Sequence, residues 1–482
     1  MARSLLDVVD SVVGGGVEHL NEAVHRRRLR KLGKSAAMDP PEAGGWAGTA
    51  EHPPRDGNHL EVLVDGEEVL PRMAAEMRKA TSYVHIAGWH LESDFRLDRD
   101  DPATTLLPFL AELAERVEVR VLLWAGPPLP AFRPHRSDLR AERDRLTRGT
   151  RIKCVLDSRE FTMHCHHEKI VVIDGRVAFV GGMDLTTLQG DRFDRPHHPA
   201  RRGIGWHDAA TVVRGPVVTD VAGHFRSRWQ EVAHEPLPEP EPQQAAGRHT
   251  VQLVRTVPER NYRFLPDGEF SILESYVRAL RSAERFVYLE NQFLWSTEIS
   301  NILDELLHDP PCDDFRVLLM LPVRPNNGKD TTRGQLGGMI QSDRGDHILA
   351  TTVRSGTGSE ADVCYVHAKI GIVDDRWFTL GSGNLNEHSL FNDTEVNLVS
   401  HDPELARQTR LRLWSEHLQL PVSEIDGEPC RVIDELWAPI AREQLRRQER
   451  GEPPTHRLIA LPGVSRRSGR LSGPLRGLLV DG

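Results

Sequence analysis

Histidine and lysine recur in this sequence at a spacing that suits phosphoryl transfer. The pattern His-x-Lys-x4-Asp occurs twice, as His167, Lys169 and Asp174 and as His367, Lys369 and Asp374. A neutral imidazole can attack phosphorus while a second, protonated imidazole donates to the leaving oxygen. Two lysines can hold the charged phosphate oxygens. The paired motifs therefore predict phosphodiester cleavage, with both histidines and both lysines as catalytic residues and the lysines also as phosphate ligands.

The two motif aspartates are predicted to be structural. Residues 170–173 form a run typical of a buried strand, so His167 and Lys169 should project to one side. Asp174 lies an odd number of positions after His167 and is followed by glycine, which is a two-residue hairpin signal. Asp374 has the same position in the second copy. Both aspartates are therefore expected in turns, away from the histidine and lysine.

A turn of small residues follows each predicted hairpin. It reads Gly181-Gly182-Met183-Asp184 in the first copy and Gly381-Ser382-Gly383-Asn384 in the second. Small residues let a backbone or a ligand approach closely, and a hydroxyl or an amide can donate to phosphate oxygens. Phosphate binding is therefore expected from Ser382 and Asn384. An ionised aspartate cannot donate, so Asp184 is expected to be an orienting or structural group, as are Gly181 and Gly182.

The elements that must position these motifs are also duplicated. Each half has a helix-like segment that leads into a β-like run, at residues 73–91 and 271–294. A further strand pattern follows at residues 117–124 and 315–322. Helices that alternate with β-branched strands predict the α/β class with sandwich layers. The two motif copies are too far apart for a solenoid repeat, so duplicated domains are expected.

Two stretches rich in proline, glycine, alanine or glutamate, at residues 35–58 and 234–247, are typical of linkers. The predicted organisation is an N-terminal helix and linker at 1–57, a first domain at 58–233, a linker at 234–248, a second domain at 249–422 and a C-terminal extension at 423–482.

The N-terminal segment has two open interpretations. Apolar residues between positions 5 and 13 recur at helical spacing, and a basic run follows between Arg26 and Lys34. The segment could be a surface anchor for anionic lipid, or a helix whose basic end faces water. No function is predicted for the Arg- and Gly-rich segment at residues 466–476.

At this point the chain resembles the phospholipase D superfamily over residues 58–420. The resemblance rests on the segments HHEKIVVID, VAFVGGMDL, GWHDAATVVRGPVV, YLENQFLW, YVHAKIGIVDD and GSGNLNEHS. It implies two homologous α/β/α domains in tandem, related by a pseudo-twofold axis, with one active site at their interface. It also implies no cofactor or metal, and a covalent phosphohistidine that water or a primary alcohol resolves. By the same resemblance, His167 is expected to be the nucleophile and His367 the acid and base.

The resemblance also implies catalytic carboxylates at Asp208 and Glu395, which would orient the two histidines. The YLENQF segment resembles a stretch that lines the pocket of this family. A structural role and a substrate contact stay open for its polar residues Glu290, Asn291 and Gln292. The chain departs from many relatives at Ala368, where serine is common, and from some at Asp184, where asparagine occurs. Both departures bear on substrate preference.

Composition limits the partners. The formal net charge is −10, which weakens the expectation of a nucleic-acid substrate, although an acidic average can hide a basic groove. There is no apolar run near the length of a membrane-crossing helix, so a phospholipid substrate is expected at a membrane surface. The start of the chain lacks the features of a secretory signal, and its five scattered cysteines suit a reducing compartment. We therefore expect a cytoplasmic protein, with a peripheral membrane association open and its oligomeric state undetermined.

Competing functions remain open at this stage. Cys165 and the histidines at 164, 166 and 167 suggest a metal site, but strand alternation should turn His164 and His166 away from His167. Cardiolipin synthase-like transfer and a nuclease are alternatives on the same scaffold. A non-catalytic lipid-binding module is disfavoured, because both histidines and both lysines are intact. Phospholipase D activity, hydrolysing glycerophospholipids to phosphatidic acid and transferring the phosphatidyl group to alcohols, is the expected function.

Overall fold

The computed structural model describes residues 20–128, 134–160, 164–188, 190, 204–323, 335–340, 343, 345–358 and 361–461. The apolar pattern predicted between positions 5 and 13 and the basic end at 466–476 lie outside these residues. The first basic run begins within a helix, α1, that is described at residues 20–31. Arg28 on this helix pairs with Glu259 of the second half at 2.7 Å.

The first half of the chain contributes eight strands and, besides α1, four helices within the described residues. The strands are β1 (Arg55–Val64), β2 (Tyr83–Gly88), β3 (Glu118–Trp124), β4 (Lys153–Asp157), β5 (Ile170–Ile173), β6 (Val177–Gly181), β7 (Gly205–His207) and β8 (Ala209–Arg214). The helices are α2 (Asp65–Arg78), α3 (Leu106–Ala114), α4 (Arg136–Thr147) and α5 (Val217–Ala233). A short 3₁₀ turn, Pro102–Thr104, precedes α3, and another, Ser35–Ala37, follows α1.

The second half repeats this arrangement and adds a C-terminal segment. Its strands are β9 (His249–Val257), β10 (Glu269–Phe270), β11 (Phe286–Glu290), β12 (Arg316–Met320), β13 (Ile348–Val353), β14 (Cys364–Val366), β15 (Ile370–Val373), β16 (Trp377–Gly381), β17 (Glu395–Ser400) and β18 (Leu458–Ala460). The helices are α6 (Ser271–Arg281), α7 (Thr297–His308), α8 at residues 335–340, α9 (Pro403–Leu418), α10 (Val422–Ile425), α11 (Pro429–Val432) and α12 (Ala438–Glu449). Two π-helical turns lie at His388–Asn392 and Ile433–Trp437.

One large sheet crosses both halves. Its strand order is β18-β13-β12-β11-β15-β16-β17-β9-β1-β8-β6-β5-β2-β3-β4, with β10 paired to β9. Read outward from the centre, the two sides have the same order, because β17, β16, β15, β11, β12 and β13 match β8, β6, β5, β2, β3 and β4. The halves meet where β1 and β9 pair in antiparallel fashion at Arg55 and Val251. This duplicated order confirms the predicted α/β class.

Helices cover both faces of the sheet. On one face a single core continues from the first half to the second and includes Trp229 of α5 and Trp414 of α9. On the other face each half has its own core, with Leu70 of α2 in the first and Leu280 of α6 in the second. The layers therefore follow the predicted α/β/α sandwich.

The C-terminal segment extends the second half. Strand β18 pairs with β13 through Thr351 and Ala460, so it becomes the edge strand of the sheet. Between α5 and β9 the described chain has no helix or strand, at the position of the predicted linker. In the part of the chain that the structure describes, no helix combines the length and the apolar character needed to cross a membrane.

Candidate active site

The two motif histidines are each paired with a carboxylate from the opposite half. Nδ1 of His167 lies 2.9 Å from Oε1 of Glu395, and Nδ1 of His367 lies 2.6 Å from Oδ2 of Asp208. All four side chains are buried. A carboxylate at Nδ1 holds the proton on that nitrogen, which leaves Nε2 available to attack or to exchange a proton. Each half therefore provides one imidazole and the group that orients the other imidazole.

Short backbone pairings hold these crossed partners in register. Strands β7 and β14 run parallel, and the backbone N–H of His367 donates to the carbonyl of His207 at 2.7 Å. The backbone N–H of His167 donates to the carbonyl of Thr394 at 2.9 Å. The residue after each of these carbonyls is the orienting carboxylate, Asp208 or Glu395. Each histidine is thus fixed to the opposite half through its backbone and through its ring.

The small-residue turns bring the carboxylate strands close to the lysine strands. A Cβ on Gly182 would collide with the carboxylate of Asp208, and one on Gly381 would collide with the backbone of Val396. The backbone N–H of Gly182 donates to the carbonyl of Ala209. The glycines therefore allow a close approach that any side chain would prevent.

The hydroxyl of Ser382 is engaged in the same turn. It donates to the carbonyl of Val396 at 3.3 Å and accepts from the N–H of Val396 at 3.0 Å. In this arrangement its proton is directed to the backbone. Phosphate binding by Ser382 stays a prediction. The observed contacts of Ser382 are structural, because they stabilise the turn.

The two lysines differ in their partners. Nζ of Lys169 lies 3.1 Å from Oδ2 of Asp184, whose other oxygen accepts the backbone N–H groups of Trp89 and His90. Nζ of Lys369 donates to Oε1 of Gln292 at 3.3 Å. Each lysine also donates to the carbonyl of the histidine of its own motif. Asp184 is thus in contact with Lys169, and its orienting role stays a prediction.

Asn384 takes the place of Asp184 in the second half. Its Nδ2 donates to Oε1 of Gln292 at 3.4 Å, so Lys369 and Asn384 share one amide oxygen. Gln292 in turn donates to the hydroxyl of Tyr365 at 3.0 Å. Of the three open residues of the YLENQF segment, Gln292 is therefore the one placed against the motif lysine.

The other two residues of that segment have structural contacts. Asn291 accepts through Oδ1 from the backbone N–H groups of Phe293 and Leu385. Glu290 is fully buried between two histidines, with Oε2 2.8 Å from Nε2 of His207 and Oε1 2.8 Å from Nε2 of His417. Burial opposes the charge of Glu290, but these histidines outweigh it and hold the pKa of its carboxyl well below the ordinary value.

His207 joins this pair to the first half. Its Nδ1 lies 2.9 Å from Oδ1 of Asp65, which also accepts the backbone N–H of Asp208 at 3.0 Å. Burial disfavours the charged imidazole, yet Asp65 and Glu290 together raise the pKa of His207 well above its usual value. The buried ion cluster therefore fixes the backbone beside an orienting carboxylate.

The motif aspartates lie in turns, as their spacing predicts. Asp174 and Asp374 both have left-handed backbone conformations, with φ of 52° and 54°. The carboxylate of Asp174 accepts the backbone N–H groups of Thr81, Ser82 and Tyr83 at 2.7–2.9 Å. Burial opposes ionisation here, but these donors lower the pKa of Asp174. Asp374 repeats the arrangement by accepting the backbone N–H groups of residues 284–286.

Two contacts at the site have no counterpart in the sequence analysis. The ring of Trp206 lies 4.3 Å from the ring of His367. The hydroxyl of Ser389 donates to Oε1 of Glu395 at 2.6 Å, the same oxygen that faces His167. Trp206 is the tryptophan of GWHD, two positions before Asp208, and that proximity was the available signal. Ser389 lies on the π-helical turn, and its spacing gave no signal.

The two neighbouring histidines of MHCHHEK turn away from His167, but they differ from each other. Nδ1 of His166 forms a hydrogen bond with the hydroxyl of Thr394. Its Nε2 lies 3.2 Å from the carboxylate of Asp157 within the core. His164 instead lies beside His388 and Asp393 of the second half. Spacing in the sequence did not indicate this cluster, because the partners of His164 are more than 220 positions away, whereas the fold brings them together.

Comparison with known proteins agrees with the duplication. A family model described as Phospholipase D matches residues 76–205, and one described as Cardiolipin synthase, PLD-like domain, matches residues 276–415. Phospholipase D A of Dictyostelium discoideum is 25% identical over 472 residues, covering 76% of this chain and 36% of that protein. Phospholipase D alpha 3 of Arabidopsis thaliana is 23% identical over 549 residues, covering 77% and 66%.

The chain thus spans about a third to two thirds of the length of these curated relatives. Among solved structures, the phosphatidylserine synthase of Haemophilus influenzae Rd KW20 aligns with a TM-score of 0.51 at 12% identity. The alignment covers 87% of this chain and 98% of that chain, and it shows a shared fold.

Proposed function

The chain belongs to the phospholipase D superfamily, and we propose that it is a phospholipase D that hydrolyses the distal phosphodiester bond of glycerophospholipids. The products are phosphatidic acid and the free head group. The observation that carries this proposal is the crossed pairing of two buried histidines with two buried carboxylates, 2.9 and 2.6 Å apart. Such a pair has the groups needed for an attack on phosphorus and for proton transfer at the leaving oxygen.

In the first step, Nε2 of His167 attacks phosphorus and the bond from phosphorus to the head-group oxygen breaks. His367, protonated at Nε2, gives its proton to that oxygen, so the head group leaves as a neutral alcohol. Lys169 and Lys369 stabilise the negative charge on the phosphate oxygens. The phosphatidyl group is then covalently bound to His167.

In the second step, His367 is neutral and removes a proton from the acceptor. Water as the acceptor gives phosphatidic acid, and a primary alcohol gives a new phosphatidyl ester. The bond from phosphorus to His167 breaks, and both imidazoles return to their starting states. Hydrolysis and transfer are therefore two outcomes of one intermediate, and the alternative of a cardiolipin synthase-like transferase differs only in the acceptor.

The polar surroundings of the lysines support this assignment of a phosphate site. Both lysines are buried, with Nζ of Lys169 3.1 Å from the carboxylate of Asp184 and Nζ of Lys369 3.3 Å from the amide oxygen of Gln292. The lipid class is supported by the names of the relatives, which are phospholipases D. A nuclease on this scaffold is disfavoured by the net charge of −10.

The test is incubation of the purified full chain with phosphatidylcholine, phosphatidylglycerol or single-stranded DNA, with and without ethanol, followed by product identification. We expect phosphatidic acid from lipid, phosphatidylethanol when ethanol is present, and persistence of hydrolysis in EDTA. His167→Ala and His367→Ala should each remove nearly all turnover while the fold is retained, because the two histidines act as a unit. Cleavage of DNA alone, or brisk activity in either variant, would refute the proposal.

A further inference from the structure

Three metal-ligating side chains from both halves meet beside the candidate active site. Nδ1 of His164 lies 3.2 Å from Nδ1 of His388 and 3.6 Å from Oδ1 of Asp393. The ligand atoms of all three residues lie within 4.8 Å of one another. His164 comes from the first half, and the other two come from the segment that leads into β17. The cluster lies three positions before His167 in one half and two before Glu395 in the other.

Hydrogen bonds within the cluster leave one buried carboxylate oxygen unsatisfied. Oδ2 of Asp393 is buried and has no hydrogen-bond partner among the described residues. The side chain of Asp393 is fully buried, whereas that of His164 is 15% exposed. The Nδ1 atoms of His164 and His388 face each other, and only one proton can lie between them when both rings are neutral. Nδ1 of His164 also faces the carboxylate of Asp393, so one nitrogen has two competing partners. A cation at this point would satisfy nitrogen and oxygen together.

The spacing fits a tetrahedral transition metal. Zinc binds imidazole nitrogen at about 2.0–2.1 Å, so two nitrogens of a tetrahedral site lie about 3.3 Å apart. The two Nδ1 atoms are 3.2 Å apart. Two imidazoles and one carboxylate form a donor set typical of zinc, with a fourth position for water. Partial exposure of His164 gives an ion access from solvent.

We propose that His164, His388 and Asp393 bind one divalent transition-metal ion of the zinc class. The ion links the two halves of the chain at the junction that carries the crossed histidine pairs. The ion would position these two halves and stabilise the fold. It would take no direct part in the reaction, because the lysines and the histidine pairs of the proposed reaction are other side chains.

Other clusters with similar donors are less suited to an ion. His207, Glu290 and His417 are close together, but all three are fully buried. Both ring nitrogens of His207 already face carboxylates, Nδ1 at Asp65 and Nε2 at Glu290. These groups compensate one another as ion pairs, so an added cation would have to break existing contacts.

The position of the cluster gives the ion a structural consequence. Oδ1 of Asp393 accepts the backbone N–H of Cys165 at 2.8 Å, and the next carbonyl, that of Thr394, accepts the N–H of His167. An ion bound to Asp393 and His164 would hold together the two chain segments that make this connection. Binding to the folded state alone raises its stability by mass action.

The first experiment measures zinc binding directly. The full chain is stripped with chelator and titrated with zinc chloride in a calorimeter, and bound metal is counted by mass spectrometry. We expect saturation at one tight ion per chain. His388→Ala and Asp393→Asn should each weaken binding by more than about tenfold, since even outer-shell partners of a metal contribute that much. The control is His308→Ala, an exposed histidine at the end of α7, which should bind zinc like the native chain.

Absence of saturable zinc binding by the native chain would overturn the proposal and leave a hydrogen-bonded cluster only. Unchanged affinity in both ligand variants would also overturn it. If His388→Ala does not fold, Asp393→Asn still decides the question, because asparagine keeps an oxygen that can accept the N–H of Cys165.

The second experiment separates this site from the proposed activity. Zinc should raise the melting temperature of the native chain by several degrees and leave that of Asp393→Asn unchanged. In EDTA, the melting temperature should fall while folded protein still hydrolyses lipid at 25 °C. A failed lipid assay with normal zinc binding would refute the proposed function alone, and normal hydrolysis without zinc binding would refute the metal site alone.

Discussion

The crossed pairing predicts that Glu395→Gln disables His167 without unfolding the protein. Oε1 of Glu395 accepts from Nδ1 of His167 and from the hydroxyl of Ser389. Glutamine has nearly the same shape, but its amide can donate to Nδ1. That contact favours the tautomer with the proton on Nε2, which is the nitrogen that must attack phosphorus.

The expected loss follows from the burial of the pair. Glu395 is fully buried and His167 nearly so, with side-chain exposures of 0% and 4%, so bulk water cannot replace the lost acceptor. In a serine-protease triad the corresponding change lowers kcat by about 10⁴. We therefore expect kcat to fall about 10³- to 10⁴-fold, or about 4–5.5 kcal/mol in the barrier. Breaking a buried charged pair costs about 3–5 kcal/mol, so a urea titration must first show that the variant is folded under the assay conditions.

The assay is rapid-mixing kinetics with a nitrophenyl phosphodiester, whose leaving group needs no proton. Glu395→Gln should abolish the first release of nitrophenolate. Asp208→Asn, which perturbs His367 instead, should still release about one equivalent and then stall, because the acceptor is not deprotonated. Glu404→Gln is the matched control, since Glu404 is 53% exposed and pairs with Arg248 at the surface. Native-like rates in Glu395→Gln, to within tenfold, would refute the reasoning, as would an identical first release in both active-site variants.

Two further predictions concern the framework around the motifs. Asp174→Ala removes the acceptor of three backbone N–H groups, so urea titrations should show an unfolding free energy lower by about 1–3 kcal/mol. The kcat of the folded variant should stay within a few-fold of the native value, and a large loss of kcat would contradict a structural role for Asp174. Burial opposes the charge of Glu168, but Arg228 and His224 lower its pKa to about 2. Its stabilising effect should therefore be complete above pH 4.5, the ordinary value, and vanish as the pH falls towards 2. The stability difference between the native chain and Glu168→Gln, measured by urea titration at several pH values, should shrink over that interval, and a constant difference would contradict the assignment.

The features that sequence predicted well are those set by local spacing. Asp174 follows a buried strand and precedes glycine, and this pattern alone places it in a two-residue turn. The duplicated strand order follows from two similar halves, since similar sequences favour similar folds. The glycines at 181 and 182 likewise indicated a close approach, although the sequence did not identify Asp208 as the group that approaches.

The features that sequence did not predict depend on contacts across the junction. Spacing alone does not indicate that Glu395 pairs with His167 and Asp208 with His367, because each carboxylate lies more than 150 positions from its histidine. Glu290 lies on β11, and only the fold shows that it is buried between His207 and His417. His164 and His167 do have different partners, although residues 164–169 lie before β5, and spacing gave no information about what His164 meets.

The broken symmetry of the site bears on how a phosphate would sit in it. The halves match in their histidines and carboxylates, but Asp184 in the first half corresponds to Asn384 in the second. Nζ of Lys169 lies 3.1 Å from the carboxylate of Asp184, and Nζ of Lys369 donates to the amide oxygen of Gln292 at 3.3 Å. The duplication therefore keeps the histidine–carboxylate pairs the same in both halves but places different side chains against the two lysines, so the two sides of the site are chemically distinct.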